Sequence, residues 1–103
     1  MAMCEHLEAA PEQPPQATTP EGCEECLARG GRWVHLRLCL TCGHVGCCDS
    51  SPGKHASAHG AETGHPVITS WEPGETWRWC FVDETGRDPR GAAARDAAEG
   101  GRA

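Results

Sequence analysis

The 103-residue chain is poor in the residues that usually fill protein interiors: it has no tyrosine, one phenylalanine, four tryptophans and few isoleucines or leucines. One small domain of this size buries little apolar surface and needs a staple of another kind. No stretch approaches the roughly 18 apolar residues of a membrane-spanning helix. The opening MAMCEHLEAAPEQPP lacks the basic start and apolar run of a signal peptide, so a cytoplasmic, reducing setting is expected. Positive charge is scarce too: nine Lys and Arg stand against fifteen Asp and Glu, a formal net charge of −6. A partner held mainly through phosphates needs a basic patch. The basic residues are scattered, so nucleic acid is not the expected partner, although Arg29, Arg32 and Arg37 could make a local patch.

What the chain does have is 8 cysteines and 6 histidines. The segment 39–48 reads CLTCGHVGCC, with four cysteines and His44 in ten residues. In a reducing compartment, closely spaced cysteines with histidines nearby point to metal binding or catalysis rather than to disulfides.

Residues 1–21 hold a short ligand-like motif, Cys4-Glu5-His6, and a Pro-rich polar linker. The core is expected over 22–83, and 84–103, rich in Ala, Gly, Arg and acids without an apolar face, reads as a disordered tail. Within the core, 31–39 alternates with the period of a strand, placing Val34, Leu36 and Leu38 on one face and leading straight into Cys39. Ser50-Ser51-Pro52 offers a helix cap with proline at the first turn. A helix of one to three turns then runs through KHASAHGAETG to Gly64, with His55 and His59 on a shared face. A hairpin follows: 66–71, a turn over Glu72-Pro73-Gly74-Glu75, and 76–82, with Trp77, Trp79 and Phe81 pointing one way and Cys80 the other.

Two CxxC pairs, Cys23/Cys26 and Cys39/Cys42, are followed by Cys47, His55, His59 and His65. A two-residue spacer lets both thiolates of a pair face one zinc ion. Five cysteines and three histidines are the eight ligands of two tetrahedral sites. Mixed thiolate and imidazole donors favour Zn²⁺ over an iron–sulfur cluster or a hard, oxygen-seeking ion. Spacing leaves the pairing open, since histidines at i and i+4 of a helix could equally share one metal.

The order C-x2-C, C-x2-C-x4-C, x7, H-x3-H-x5-H and then Pro-Val, over about Cys4 to Asp83, resembles the UBP-type (ubiquitin-specific-protease-type) zinc finger. The resemblance implies a small zinc-stabilised α+β fold, a twisted antiparallel sheet with one or two short helices. It also implies interleaved sites: Cys23, Cys26, Cys47 and His55 on one zinc, and Cys39, Cys42, His59 and His65 on the other. Three-zinc members add a site from an N-terminal C-x-H and a late C-x2-C. Here Cys4 and His6 fit the first half, and Cys80 and Asp83 stand in the second, with aspartate replacing the last cysteine. Carboxylate can ligate zinc; the other reading is a buried Cys80 thiol and a floppy Cys4.

Ubiquitin-binding members of that family capture a free C-terminal carboxylate with an arginine and flanking aromatics. Asp49 stands at the arginine position, and an acid repels a carboxylate, so ubiquitin is not expected to bind in the family's usual way. Trp79 and Phe81 match the ring positions, and Arg37 stands where a tryptophan is expected. These three either line a groove for a protein or peptide partner or, in the case of the rings, pack the core. Cys48 is a spare thiol, a substitute ligand for Cys47 or a reactive group. His44 and His35 fit second-sphere or exposed roles.

Catalysis is not expected. The helix reads HASAH, without the glutamate of H-E-x-x-H, and no H-x-E precedes a P-C-x-x-C. A third site lacking Asp83 as ligand would leave an open position and reopen a catalytic option. The expected function is a zinc-binding protein-interaction module without enzymatic activity. The alternatives are a nucleic-acid-associated zinc ribbon, or a zinc buffer or thiol redox sensor.

Overall fold

The computed structural model describes residues 4–87. Cysteine sulfur begins the first two helices. In α1 (Glu5–Ala9) the cap is Cys4, whose Sγ accepts from the Leu7 N–H at 3.4 Å; in α2 (Glu24–Arg29) it is Cys23, whose Sγ accepts from the Cys26 N–H at 3.5 Å. Helices of five and six residues do not persist alone in water. Their stability comes from whatever holds those cysteines.

Five short strands, β1 (Leu36–Cys39), β2 (Val45–Cys47), β3 (Val67–Ser70), β4 (Arg78–Cys80) and β5 (Thr85–Arg87), form one sheet in the order β2-β1-β3-β4-β5, with every neighbouring pair antiparallel. Pairing of Leu38 with Val45 and Thr69, of Cys39 with Ile68, and of Ile68 with Trp79 assigns the faces, because side chains alternate along a strand. One face carries Arg37, Cys39, Ile68 and Trp79. The other carries Leu38, Val45, Cys47, Val67 and Cys80. Helix α3 (His55–Thr63) lies on the first face, where Gly46 and Gly60 permit close approach: a Cβ would meet the Ala56 backbone at 2.7 Å and the Phe81 ring at 2.8 Å, respectively.

Among the described residues the interior consists of three small clusters. Ile68, Trp77 and Trp79, with Phe81 against them, make the first. Leu7, Leu40, Val67 and Cys80 make the second, and Cys23, Cys26 and Cys47, flanked by Trp33 and Leu36, make the third. Two of the three therefore include candidate metal ligands. The Pro-rich linker is pinned to the sheet: Arg78 Nη2 donates to the Glu12 carbonyl at 2.8 Å, and the Thr18 N–H to the Gly43 carbonyl at 2.9 Å. Gly43 has φ +84°, and a Cβ there would collide with the Gln16 carbonyl.

Four expectations are corrected. The strand expected over 31–39 begins only at Leu36. Val34 is 52 % exposed, its N–H donates to Ser51 Oγ at 2.8 Å, and the His35 carbonyl accepts from the Cys48 N–H, so loop 48–51 takes the place of a sheet partner. Ser50-Ser51-Pro52 does not cap α3. The helix starts at His55, after Lys54 at φ +47°, and the His55 N–H donates to Cys47 Sγ at 3.3 Å. Among the described residues there are three short helices, where one or two are expected. Finally, residues 85–87, expected in the tail, form β5 against β4, while the rest of the expected tail and residues 1–3 lie outside the described residues.

Trp79, 5 % exposed, packs on Ile68 and Trp77 and is part of the core. Trp79→Ala should cost about 3–5 kcal/mol, read as a lowered denaturant midpoint with an unchanged slope. A midpoint within experimental error of the wild type would contradict this packing role.

Candidate metal centre

Three groups of four donors converge, each within 4.8 Å of one another: Cys23, Cys26, Cys47 and His55; Cys39, Cys42, His59 and His65; and Cys4, His6, Cys80 and Asp83. Each is drawn from distant elements. The first joins the start of α2, the end of β2 and the start of α3. The second joins the end of β1, the turn after it, the middle of α3 and the segment after α3. The third joins α1 to the end of β4.

In the first group His55 Nδ1 lies 3.3, 3.5 and 3.4 Å from the sulfurs of Cys23, Cys26 and Cys47, and Cys26 Sγ is 4.0 Å from Cys47 Sγ. One ring nitrogen offers one proton or one lone pair, so hydrogen bonding cannot account for three sulfurs around it. The sulfurs are far beyond the ~2.05 Å of a disulfide, and all eight cysteines are free. A tetrahedral zinc with Zn–S near 2.3 Å and Zn–N near 2.0–2.1 Å has ligand–ligand edges of about 3.8 Å for S···S and about 3.5 Å for S···N. The observed spacings match those edges. In the second group Cys39 Sγ lies 3.5 Å from His65 Nδ1, and Cys42 Sγ lies 3.3 Å from His59 Nε2. The third is tighter and mixed: Asp83 Oδ2 is 2.8 Å from Cys4 Sγ and 3.1 Å from His6 Nδ1, while Cys80 Sγ is 3.6 Å from His6 Nδ1 and 3.9 Å from Asp83 Oδ2. Donor type fits zinc in all three groups and the spacings of the first two match its edges, whereas Cys4 Sγ and Asp83 Oδ2 at 2.8 Å stand closer than the about 3.5 Å of a zinc-bound S···O edge and would have to part to admit the ion.

His55 and His59, one helical turn apart, go to different groups. Their ring atoms differ as well, Nδ1 for His55 and Nε2 for His59, which spacing in a sequence does not reveal.

Burial pushes the Cys23 thiol up to about 12 and, with the Asp83 hydrogen bond, the Cys4 thiol up to about 11; it also raises Cys26 and Cys42. Without a metal these groups hold their protons at neutral pH. Loading zinc must therefore release them.

A second-sphere bridge links the first two groups. Glu25, in the spacer of the first CxxC, accepts from His44 Nε2 at 2.9 and 3.0 Å, and the buried His44 ring stacks on His59 with centroids 4.0 Å apart. Burial alone would raise the Glu25 carboxyl, but the His44 contact leads the interactions that hold it below its usual range. Sequence reasoning placed His44 in a second-sphere or exposed role but missed Glu25. An acid inside a CxxC spacer was visible, whereas its partner 19 positions away was not.

Cys48 joins none of the three groups. It is buried, lies 3.6 Å from Ser51 Oγ, and its thiol is held below its usual range by Ser51, neighbouring N–H groups and Arg37, against the opposing effect of burial. A role as substitute ligand for Cys47 is thereby corrected: successive strand residues face opposite sides. His35 is exposed. Trp79 and Arg37, expected as candidate partner contacts, are each only 5 % exposed. Arg37 lies over the Trp77 ring at 4.5 Å and donates to the Leu36 carbonyl. Burial removes both from an open groove and leaves Phe81, half-buried, as the accessible one of the three.

A small antiparallel sheet with short helices, cross-linked by cysteine and histidine clusters, defines a zinc finger of the α+β kind. The family described as "Zn-finger in ubiquitin-hydrolases and other protein" matches residues 23–90, and the chain belongs to that family and is a zinc-binding module. It is similar to protein RPA1320 from Rhodopseudomonas palustris, whose structure was solved by NMR in solution: identity is 52 %, coverage is 85 % of this chain and 84 % of that one, and the TM-score is 0.74. No curated protein matches the chain. Among the described residues no helix is long and apolar enough to cross a membrane.

His44→Ala should weaken zinc binding about 10–100-fold, the range for losing an outer-sphere partner, with unchanged stoichiometry at saturating zinc. Competition titration against a colorimetric chelator measures it, and wild-type affinity in the variant would show that the stack does not support His59. Because zinc must displace thiol protons, affinity should also fall as pH is lowered below neutrality. Affinity independent of pH between 5.5 and 7.5 would contradict that.

Proposed function

We propose that the protein is a structural zinc module that carries three zinc ions and presents a folded surface to a protein or peptide partner. The observation that carries the reading is that each group supplies four protein donors. Four donors complete a tetrahedral zinc and leave no open position for water or substrate, which supports a binding role over a catalytic one. Zinc held this way contributes folding free energy directly. Eight free thiols fit a reducing, cytoplasmic setting.

Ubiquitin-tail capture in the family's manner is disfavoured by Asp49. Its Oδ1 accepts from Ser57 Oγ at 2.6 Å, fixing a negative charge where a carboxylate-binding arginine would be wanted. The partner surface includes instead the concavity at the β3–β4 turn, a cavity of about 620 Å³ lined by Trp71, Pro73, Thr76 and Arg78 among others. Half-buried Trp71 gives it an aromatic wall of the type that anchors interfaces.

Native mass spectrometry of the zinc-loaded chain should show three ions, and excess chelator should abolish the cooperative thermal transition. Cys42→Ser should lose one ion and melt far lower; an unchanged melting curve would overturn the structural role. A peptide ending in Gly-Gly with a free carboxylate should give no titration signal, and saturable binding lost on amidation of that carboxylate would overturn the reading of Asp49.

A further inference from the structure

The three donor groups are not equivalent. In the first, all three sulfurs are buried behind Trp33 and Leu36. In the third, the His6 and Asp83 side chains are 38 % and 43 % exposed, Cys4 is half-buried, and one donor is a carboxylate. Carboxylate is a harder, weaker ligand for zinc than thiolate; the second group also has an exposed donor, Cys42, so it is the carboxylate and the weakly held segment carrying Cys4 and His6 that set the third group apart. Two of the four donors, Cys4 and His6, come from a segment that has little else to hold it. Helix α1 is five residues long and begins with Cys4 as its cap, and its one buried side chain is Leu7, set against Leu40, Val67 and Cys80. From residue 12 onward the chain is tied down independently by the Arg78 and Gly43 contacts.

Resting on the three-zinc reading above, we infer that the Cys4–His6–Cys80–Asp83 site is an exchangeable zinc clasp, whose ion comes and goes while the other two stay and whose occupancy decides whether residues 4–11 cover the apolar patch formed by Leu40, Val67 and Cys80. The ion supplies the cross-link that a single buried leucine does not replace, since docking five residues loses backbone entropy of about 1–2 kcal/mol per residue. Release of the segment bares Leu40 and Val67 beside Pro66, which together with α1 and the start of the linker already border a cavity of about 370 Å³. The sheet and α3 keep their form, because neither remaining group draws a ligand from α1.

The test uses the full zinc-loaded chain, a graded series of chelator concentrations, native mass spectrometry for stoichiometry and amide hydrogen exchange for structure. Three ions should fall to two in a separate first step, and the Leu7 and Glu8 amides should lose protection in that step while those of β1 and β3 keep it. Asp83→Ala should carry two ions with an unprotected α1 and a protected sheet. Asp83→Cys should shift the first step to at least about tenfold higher chelator, on the scale by which a single site partner tunes affinity. Loss of all three ions in one step would overturn the clasp while leaving the three-zinc reading intact. A wild type that never carries more than two ions would overturn the three-zinc reading itself. Three-to-two loss with α1 still protected would show that the third zinc is exchangeable but does not govern docking, which also overturns the clasp.

Discussion

Sulfur and imidazole donors from distant parts of the chain meet at three points, and the remainder of the fold is arranged by those meetings. The apolar clusters are too small to do it: the largest side chains available are four tryptophans and one phenylalanine. The ligands also perform work that other proteins assign to the backbone and to polar caps. Cys4 and Cys23 cap helices, Cys47 receives the first N–H of α3, and Cys80 Sγ accepts the Asp83 N–H at 3.4 Å. A thiolate held by a metal is a better acceptor than a neutral thiol, so binding of an ion at these groups would order the local turns in the same event.

Interleaving gives this cross-linking its reach. Helix α3 sends His55 to one group and His59 to the other, and Glu25 extends from the first group to His44, which lies against His59. The two inner groups thus share a helix and a hydrogen-bonded stack. The third group has no such connection. It shares only the sheet, through Cys80 on β4, and this topological separation makes independent behaviour physically possible.

The metal-binding character was legible in the sequence because it rests on local spacing: a CxxC turn can aim both sulfurs inward wherever it occurs. The β3–β4 hairpin was legible for the same reason, since alternation and a Pro-Gly turn are local signals. What escaped depends on contacts between distant residues. The strand expected from Gly31 begins only at Leu36 because loop 48–51 captures residues 34 and 35. The Ser-Ser-Pro cap fails because Cys47 and the first donor group position His55 more strongly than a serine hydroxyl could. Strand β5 carries no apolar pattern, and its pairing with β4 is visible only in three dimensions.

Arg37, Asp49 and Trp79, the positions that the resemblance singles out, are each engaged within the fold. Arg37 lies over Trp77 with its guanidinium buried, Asp49 accepts from Ser57, and Trp79 packs on Ile68. An arginine replacing a large ring can keep the stack through its planar face, whereas a tryptophan at 37 would add bulk against Trp77. An acid at 49 can bind the hydroxyl of Ser57 in the first turn of α3 and steady the loop between Cys47 and His55. Asp49 thus braces the segment between two donors of the first group, while Arg37 and Trp79 belong to the packing around Trp77 and Ile68.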